Sequence, residues 1–195
     1  ANPPLHLAII PDGNRRWARS QALHPWKGHE RAIENFRSLT DWCRNDPRIS
    51  TLTVWCFSTE NWKRDPTEIA KLMSMLEEYL RKEREGFLEK NVRFLHSGRL
   101  DRIPSSLAKL LTEVQAETIQ QSAFTLHLAV DYGGKDEIIR AMHRLGEKSN
   151  PQALGIHPAV TEDAVRAALD HPELPDIDLI LRTSGEQRTS NFFLW

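Results

Sequence analysis

Three polar segments of this chain hold the residue types that handle phosphates. The first is Pro11-Asp12-Gly13-Asn14-Arg15-Arg16-Trp17, with one carboxylate, one glycine and two arginines. Glycine lets backbone approach a ligand closely and bares N–H groups. Arginine forks match phosphate oxygens two at a time. A carboxylate beside them suits Mg2+, which takes one or two carboxylates and fills its shell with substrate phosphates. The segment therefore suits a diphosphate with its metal, Asp12 being the candidate ligand. It equally suits a solvated turn in which Asp12 pairs with an arginine, since Asp-Gly turns are common. A second segment, Arg182 to Asn191, offers Arg182, Arg188 and Ser190 to another phosphate group, or is a solvated basic loop. The third, Ser58-Thr59-Glu60-Asn61-Trp62-Lys63-Arg64, is a polar cluster bounded by an aromatic. It suits the orientation of a proton acceptor beside an apolar substrate, or the capping of a helix opened by Pro66. His29, after Gly28, stands at a helix start that favours an anion, or is a plain surface residue.

Other chemistries are excluded by pattern. There is no Gly-x-x-x-x-Gly-Lys-Ser/Thr and no Gly-x-Gly-x-x-Gly, so neither a Walker nucleotide site nor a dinucleotide enzyme is expected. The eight histidines and two cysteines show no zinc-ligand spacing. A net charge of −1 gives no bulk attraction to nucleic acid. A spanning helix needs roughly 20 apolar residues, and the apolar runs here are far shorter. The Ala-Asn-Pro-Pro start shows no signal peptide and lacks an initiator Met, as in a trimmed chain. Cys43 and Cys56 sit in apolar contexts and read as core thiols in a reducing compartment.

The segments must be held by the elements between them. Strands are expected at Leu5–Ile10, Thr51–Phe57, Asn91–His96, Phe124–Asp131 and Ile177–Leu181, with a sixth at Asn191–Leu194. Helices are expected from Gly28 to Arg44, from Pro66 to about Phe87 with Asp65 as N-cap, from Asp101 to Gln121, over Asp136–Leu145, and from a Thr161 cap to Leu169. Ser149 to Pro158 reads as a loop. This alternation predicts an α/β fold: one domain over residues 1–195, with a mainly parallel sheet of about six strands covered by helices on both faces. Chemistry in such folds gathers beyond the carboxyl ends of the strands, where all three polar segments fall. Met73, Leu76, Leu80, Leu107 and Leu111 are candidates to line a long apolar substrate cleft, or are simply core.

Taken in order, Pro11-Asp12-Gly13-Asn14-x-Arg16-Trp17-Ala18, Gly28-His29, Phe57-Ser58-Thr59-Glu60-Asn61-Trp62-x-Arg64, Tyr132-Gly133-Gly134 and Asp178-Leu179-x-x-Arg182-Thr-x-Gly185-Glu186-x-Arg188-x-Ser190-Asn191-Phe192 resemble the cis-prenyltransferase family of the undecaprenyl diphosphate synthase type. The resemblance runs over essentially the whole chain. It implies Mg2+-dependent condensation of isopentenyl diphosphate with an allylic diphosphate, typically farnesyl diphosphate, to a Z-polyprenyl diphosphate. It also implies a cytoplasmic homodimer in transient contact with the membrane. By residue match, Asp12 holds Mg2+ and helps ionise the allylic substrate, and Asn61 is the proton-accepting position, assisted by Ser58. Matched substrate contacts are Gly13, Asn14, Arg15, Arg16, Trp17, His29, Ser58, Thr59, Glu60, Trp62, Arg64, Arg182, Arg188, Thr189 and Ser190.

Departures from the family pattern are Arg15, where Gly is frequent, Pro25, where many members carry a diphosphate-contacting Arg, and Asp131, where Asn is frequent. Arg15, Lys27 or Arg31 are candidates to supply the cation that position 25 does not. The family continues past Trp195 with a second Mg2+-ligating glutamate and part of the dimer contact, so the chain as given is expected to be incomplete. Two alternatives are a non-catalytic subunit of a heteromeric enzyme, which generally loses the Asp12-type loop, and a synthase of irregular terpene diphosphates. A generic phosphate-binding module is remote.

Overall fold

A computed structural model describes residues 4–148 and 160–195. Its frame is five parallel strands: β1 (Leu5–Ile10), β2 (Ile49–Ser58), β3 (Val92–Ser97), β4 (Phe124–Tyr132) and β5 (Leu179–Arg182), ordered β3-β4-β2-β1-β5. Between them run α1 (Asn14–Ser20), α2 (Pro25–Asn45), α3 (Pro66–Glu89), α4 (Ser105–Glu117), α5 (Gly134–Lys148) and α6 (Glu162–Arg166). The expected Ser149–Pro158 loop lies outside the described residues. Because every strand pair is parallel, the loops after β1, β2, β4 and β5 emerge on one side of the sheet.

Strand residues alternate between two cores, as a two-sided sheet requires. Leu7, Ile9, Leu52, Val54 and Phe94 pack with α3 and α4, and with Ile33, Phe36 and Leu39 of α2. Ala8, Ile10, Trp55, Ala129 and Tyr132 pack with Phe192 on the other face, where the Tyr132 hydroxyl donates to Glu137 of α5. The edge of β3 is not bare. Its Phe94 and His96 N–H groups donate to Thr118 Oγ1 and Gln115 Oε1 at the end of α4, which blocks strand addition there.

Four differences from the expected elements have clear causes. Asn14–Ser20 is a helix, not a turn, because Gly13 turns the chain at φ 91° directly into it. Helix α2 starts at Pro25 rather than Gly28, and Gly28 sits where α1 crosses; a Cβ there would meet Asn14 O at 2.1 Å. Helix α4 starts later than Asp101 because Pro104 holds the N-cap and disfavours helical geometry in the residue before it. The sixth strand at Asn191–Leu194 is absent. Ser190, Asn191 and Phe193 have positive φ, and the aromatic run that reads as strand instead drops Phe192 into the core. At α3 the expectation holds: Asp65 accepts from the Thr67 and Glu68 N–H groups at 2.9 and 3.2 Å.

A rank of buried polar groups crosses the sheet. The Pro175 carbonyl can only accept, so His6 donates to it from Nδ1 (2.8 Å) and accepts at Nε2 from Thr53 (2.6 Å). Thr53 in turn accepts from His127 Nδ1 (3.0 Å), whose Nε2 accepts from Ser97 (2.8 Å). Burial holds His6 and His127 below the usual histidine range and brings His96 down to about 4. These rings are neutral when folded and titrate near 6.5 when unfolded, so the unfolded chain binds more protons below that value and stability falls with acid. From pH 6.5 to pH 5, His96 alone removes on the order of 1–2 kcal/mol. Urea midpoints across this interval check it; a flat profile would mean that the rings are charged in the folded state.

Candidate active site

The loops after β1 and β5 are stitched together at the carboxyl end of the sheet. Arg182 closes β5 and donates to Asp12 Oδ2 through Nη2 (2.8 Å) and Nε (3.2 Å). Thr183 Oγ1 donates to Asp12 O at 2.6 Å, and Arg16 Nη2 to Ser184 Oγ at 2.8 Å. Gly13 is required twice over: its φ is positive, and a Cβ would stand 2.6 Å from Ser184 Cβ. Burial works to raise the Asp12 pKa, but the Arg182 guanidinium and the Gly13 N–H outweigh it and hold the carboxyl below the ordinary range. Arg182 Nη1 also donates to Ser190 Oγ (2.7 Å) and Arg188 O (2.5 Å), so one guanidinium organises both ends of its loop.

The loop after β2 is a single 3-10 turn, Thr59–Lys63, closed by a reciprocal capping box. Ser58 N–H donates to Asn61 Oδ1 at 3.1 Å. The capping and functional readings of this segment are thus compatible, since Asn61 caps the turn and lines the cleft. Glu60 Oε1 accepts from Asn191 Nδ2 at 3.0 Å. Burial pushes the Glu60 carboxyl upward, but its own N–H, Asn191, Thr59 and Ser58 hold it down and ionised.

These loops form the rim of a cleft of about 600 Å³. At its mouth stand Asp12, Asn14, His29, Ser58, Glu60, Asn61, Arg64, Arg182 and Ser190. Its walls are Ile33, Phe36 and Leu39 of α2 facing Leu72, Leu76 and Tyr79 of α3. Of the five side chains expected to line it, Leu76 does; Met73, Leu80, Leu107 and Leu111 belong to the core. The reason is phase: Leu72, Leu76 and Tyr79 share one stripe of α3, while Met73 and Leu80 face inward. Beside the mouth, Asp12, Gly13, Asn14, Arg15, Arg16, Arg19, His29 and Arg64 line a second, strongly cationic hollow.

The chain and its fold match known proteins. A family model described as "Putative undecaprenyl diphosphate synthase" covers residues 10–195. The chain belongs to this prenyltransferase family. Relatives named isoprenyl transferase include one from Wolinella succinogenes, 42% identical over all of this chain and 81% of its own length. Another, from Rhodopirellula baltica, is 39% identical over all of this chain and 79% of its own length. Among solved structures, lavandulyl diphosphate synthase from Lavandula x intermedia, in complex with dimethylallyl diphosphate, superposes with a TM-score of 0.89 at 30% identity, covering 98% of this chain and 82% of that one. A probable undecaprenyl diphosphate synthase from Campylobacter jejuni superposes at 0.78 with 33% identity, covering all of this chain and 82% of that one.

Several motif residues of this prenyltransferase stand back from the cleft. Trp17 is 43% exposed and lies outside both hollows. Trp62 packs edge-on against Phe57 at 5.1 Å and donates from Nε1 to Asp131 at 2.8 Å, so it braces the wall from behind. Thr59 faces Gly133, and Arg188 is exposed and paired with Glu186 at 2.7 Å. Among the described residues, Thr189 is bonded through its carbonyl, to Phe192 N–H.

Sequence reasoning misses one important residue. Glu68, 11% exposed, takes Arg15 (3.5 Å), His29 (3.3 Å) and Arg64 (3.4 Å) around one carboxylate. Burial lowers the His29 pKa while Glu68 pulls it back up. The sequence carries little signal for it, because Glu68 stands in the first turn of α3 while Arg64 precedes the helix and Arg15 and His29 come from α1 and α2.

Proposed function

We propose that this prenyltransferase condenses isopentenyl diphosphate with an allylic diphosphate, farnesyl diphosphate being the primer, to give a Z-polyprenyl diphosphate such as undecaprenyl diphosphate. The observation that carries the reading is the union, in one cleft, of a mouth bearing Asp12, Asn61 and Arg182 with an apolar trough between α2 and α3. A cationic rim suits two diphosphates, and the trough suits a growing hydrocarbon. A non-catalytic subunit would have no use for both ends.

Mg2+ fits the donor set. Among the described residues no cluster of three acidic, His or Cys side chains could hold a metal, so Asp12 would share the ion with substrate phosphate oxygens, as Mg2+ commonly requires. When bound, the ion neutralises charge on the departing diphosphate. The chain's own groups do the rest. The allylic C1–O bond breaks and its electron pair leaves with the diphosphate, which the cationic hollow receives. Arg182 and Ser190 grip the diphosphate of isopentenyl diphosphate, whose π-bond forms the new C–C bond at C1. The C2 proton is then lost. Asn61 Oδ1 already accepts from Ser58 N–H and an amide is a poor base, so Asn61 orients a relay through Ser58, water or a diphosphate oxygen.

The same reading extends to a cytoplasmic homodimer in transient contact with the membrane. Exposed Leu179, Leu181, Ile139 and Met142 support association, and no helix among the described residues is long and apolar enough to cross a membrane. The test is incubation with farnesyl diphosphate, labelled isopentenyl diphosphate and Mg2+, followed by sizing of extracted products. Mg2+-dependent incorporation that EDTA abolishes supports the reading; no incorporation with any allylic primer sinks it, and a branched product would favour an irregular-terpene synthase.

Tyr79 lines both the trough and a separate hollow of about 300 Å³, so it stands between them. Tyr79→Ala is expected to open the trough toward that hollow and to lengthen the main product by at least one isoprene unit. Product sizing reads this directly, and an unchanged length would place the stop elsewhere.

A further inference from the structure

Position 25 is proline and offers no cation. Two of the residues expected to compensate are occupied elsewhere: Lys27 pairs with Glu30 at 2.7 Å and Arg31 with Glu34 at 2.8 Å, both on the solvent side of α2. The cationic hollow beside Asp12 holds four arginines, and their partners differ. Arg15 and Arg64 share Glu68. Arg16 donates to Ser184 and stands 3.9 and 4.0 Å from Asp12 and Glu186. Arg19 lines the same hollow and, among the described residues, has no carboxylate within ion-pair reach.

Arg15 and Arg19 lie four residues apart on α1, so their side chains share one face. Like charges at this spacing repel unless an anion sits between them. A second observation points the same way: Arg15 Nε is buried with no hydrogen-bond partner. Buried donors are normally satisfied, and the residues of this face line the hollow.

We propose that Arg19, acting with the unpaired Nε of Arg15, is a further binding residue for the diphosphate of the allylic substrate. The geometry divides the labour. Glu68 offsets one of the two charges of Arg15 and Arg64 and holds His29, which fixes their positions. Arg19 is the uncompensated cation that a diphosphate meets. This rests on the reading of the hollow as the allylic diphosphate site.

Inorganic pyrophosphate with Mg2+ is the probe, titrated by calorimetry into the wild-type protein, Arg19→Ala and Arg31→Ala. Arg19 is exposed and its truncation leaves the fold intact. The expected result is about tenfold weaker binding in Arg19→Ala, as for removal of one charge-assisted hydrogen bond, with Arg31→Ala unchanged. In turnover assays, Arg19→Ala raises KM for the allylic diphosphate by a similar factor and leaves KM for isopentenyl diphosphate and kcat within about twofold. Equal affinity in Arg19→Ala and wild type overturns the proposal, as does equal weakening in Arg31→Ala, which would reduce the effect to bulk charge. Failure of the wider functional reading is distinguishable, since the wild-type protein would then incorporate no isopentenyl diphosphate whatever Arg19 does to pyrophosphate binding.

Discussion

Asp12→Ala lowers turnover on the order of 10³-fold or more at saturating substrates, with the fold intact. The loss is large because, in the proposed reaction, Asp12 acts where charge develops. It would share the metal with the departing diphosphate, and it fixes Arg182 through two hydrogen bonds, Nη2 at 2.8 Å and Nε at 3.2 Å. Arg182 in turn holds Ser190 and the Arg188 carbonyl. The substitution therefore removes one charge directly and unseats Arg182, the residue proposed to grip the second diphosphate. The fold survives because the Asp12 side chain is on a loop and partly exposed, while its carbonyl still accepts from Thr183. The defect should fall mainly on kcat, and added Mg2+ should not restore it. Steady-state kinetics beside a thermal melt separate catalysis from stability, and near-normal rates would show that the metal role is misassigned.

Asp131→Ala is expected to destabilise the protein by about 3–5 kcal/mol. Asp131 is fully buried. Its carboxylate accepts both from Trp62 Nε1 at 2.8 Å and from the Arg102 guanidinium, with Nε at 2.8 Å from Oδ2. Its backbone sits at φ 51°, which Asp and Asn tolerate and Ala does not. Alanine strands two donors and strains the chain, and Trp62 loses the anchor that braces the wall of the cleft. A shift in Tm of about 10 °C follows for a chain of this size. Asp131→Asn keeps the backbone preference and the Oδ1 acceptor for Trp62, but loses the charge and turns the Oδ2 acceptor of Arg102 Nε into a donor; Arg102 is partly exposed and can turn to water, so this variant should cost less. Thermal melts of the two variants check the ordering; an alanine variant that melts within about 2 °C of wild type would contradict it.

The strands and the long helices are legible in the sequence because each carries its own periodic signal. Ile69, Leu72, Leu76 and Leu80 mark α3, and Asp65-Pro66 marks its start. What is not legible depends on contacts across the fold. Helix α1 hides behind a glycine that looks like a stop, and only the approach of Ser184 shows why Gly13 is there. The Phe192-Phe193 pair looks like strand, yet its backbone turns left-handed to bury one ring. At the site, Asp12, Asn61 and Arg182 are visible as polar residues after strands, and parallel pairing brings them together. Helix α3 is visible as a wall of the trough through Leu76, but α2 as the facing wall, in place of α4, is not, because periodic leucines serve core and cleft alike. Nor is the role of Glu68, a helical glutamate until three cations are seen to converge on it.

Z-elongation of an allylic diphosphate in the cleft that holds Asp12, Asn61 and Arg182 is tested most directly by carbon NMR. The sample is the product that the purified protein forms from farnesyl diphosphate and 13C-labelled isopentenyl diphosphate. The expected product is a linear chain in which every newly formed double bond is Z. New double bonds that are E, or a branched junction, would contradict it.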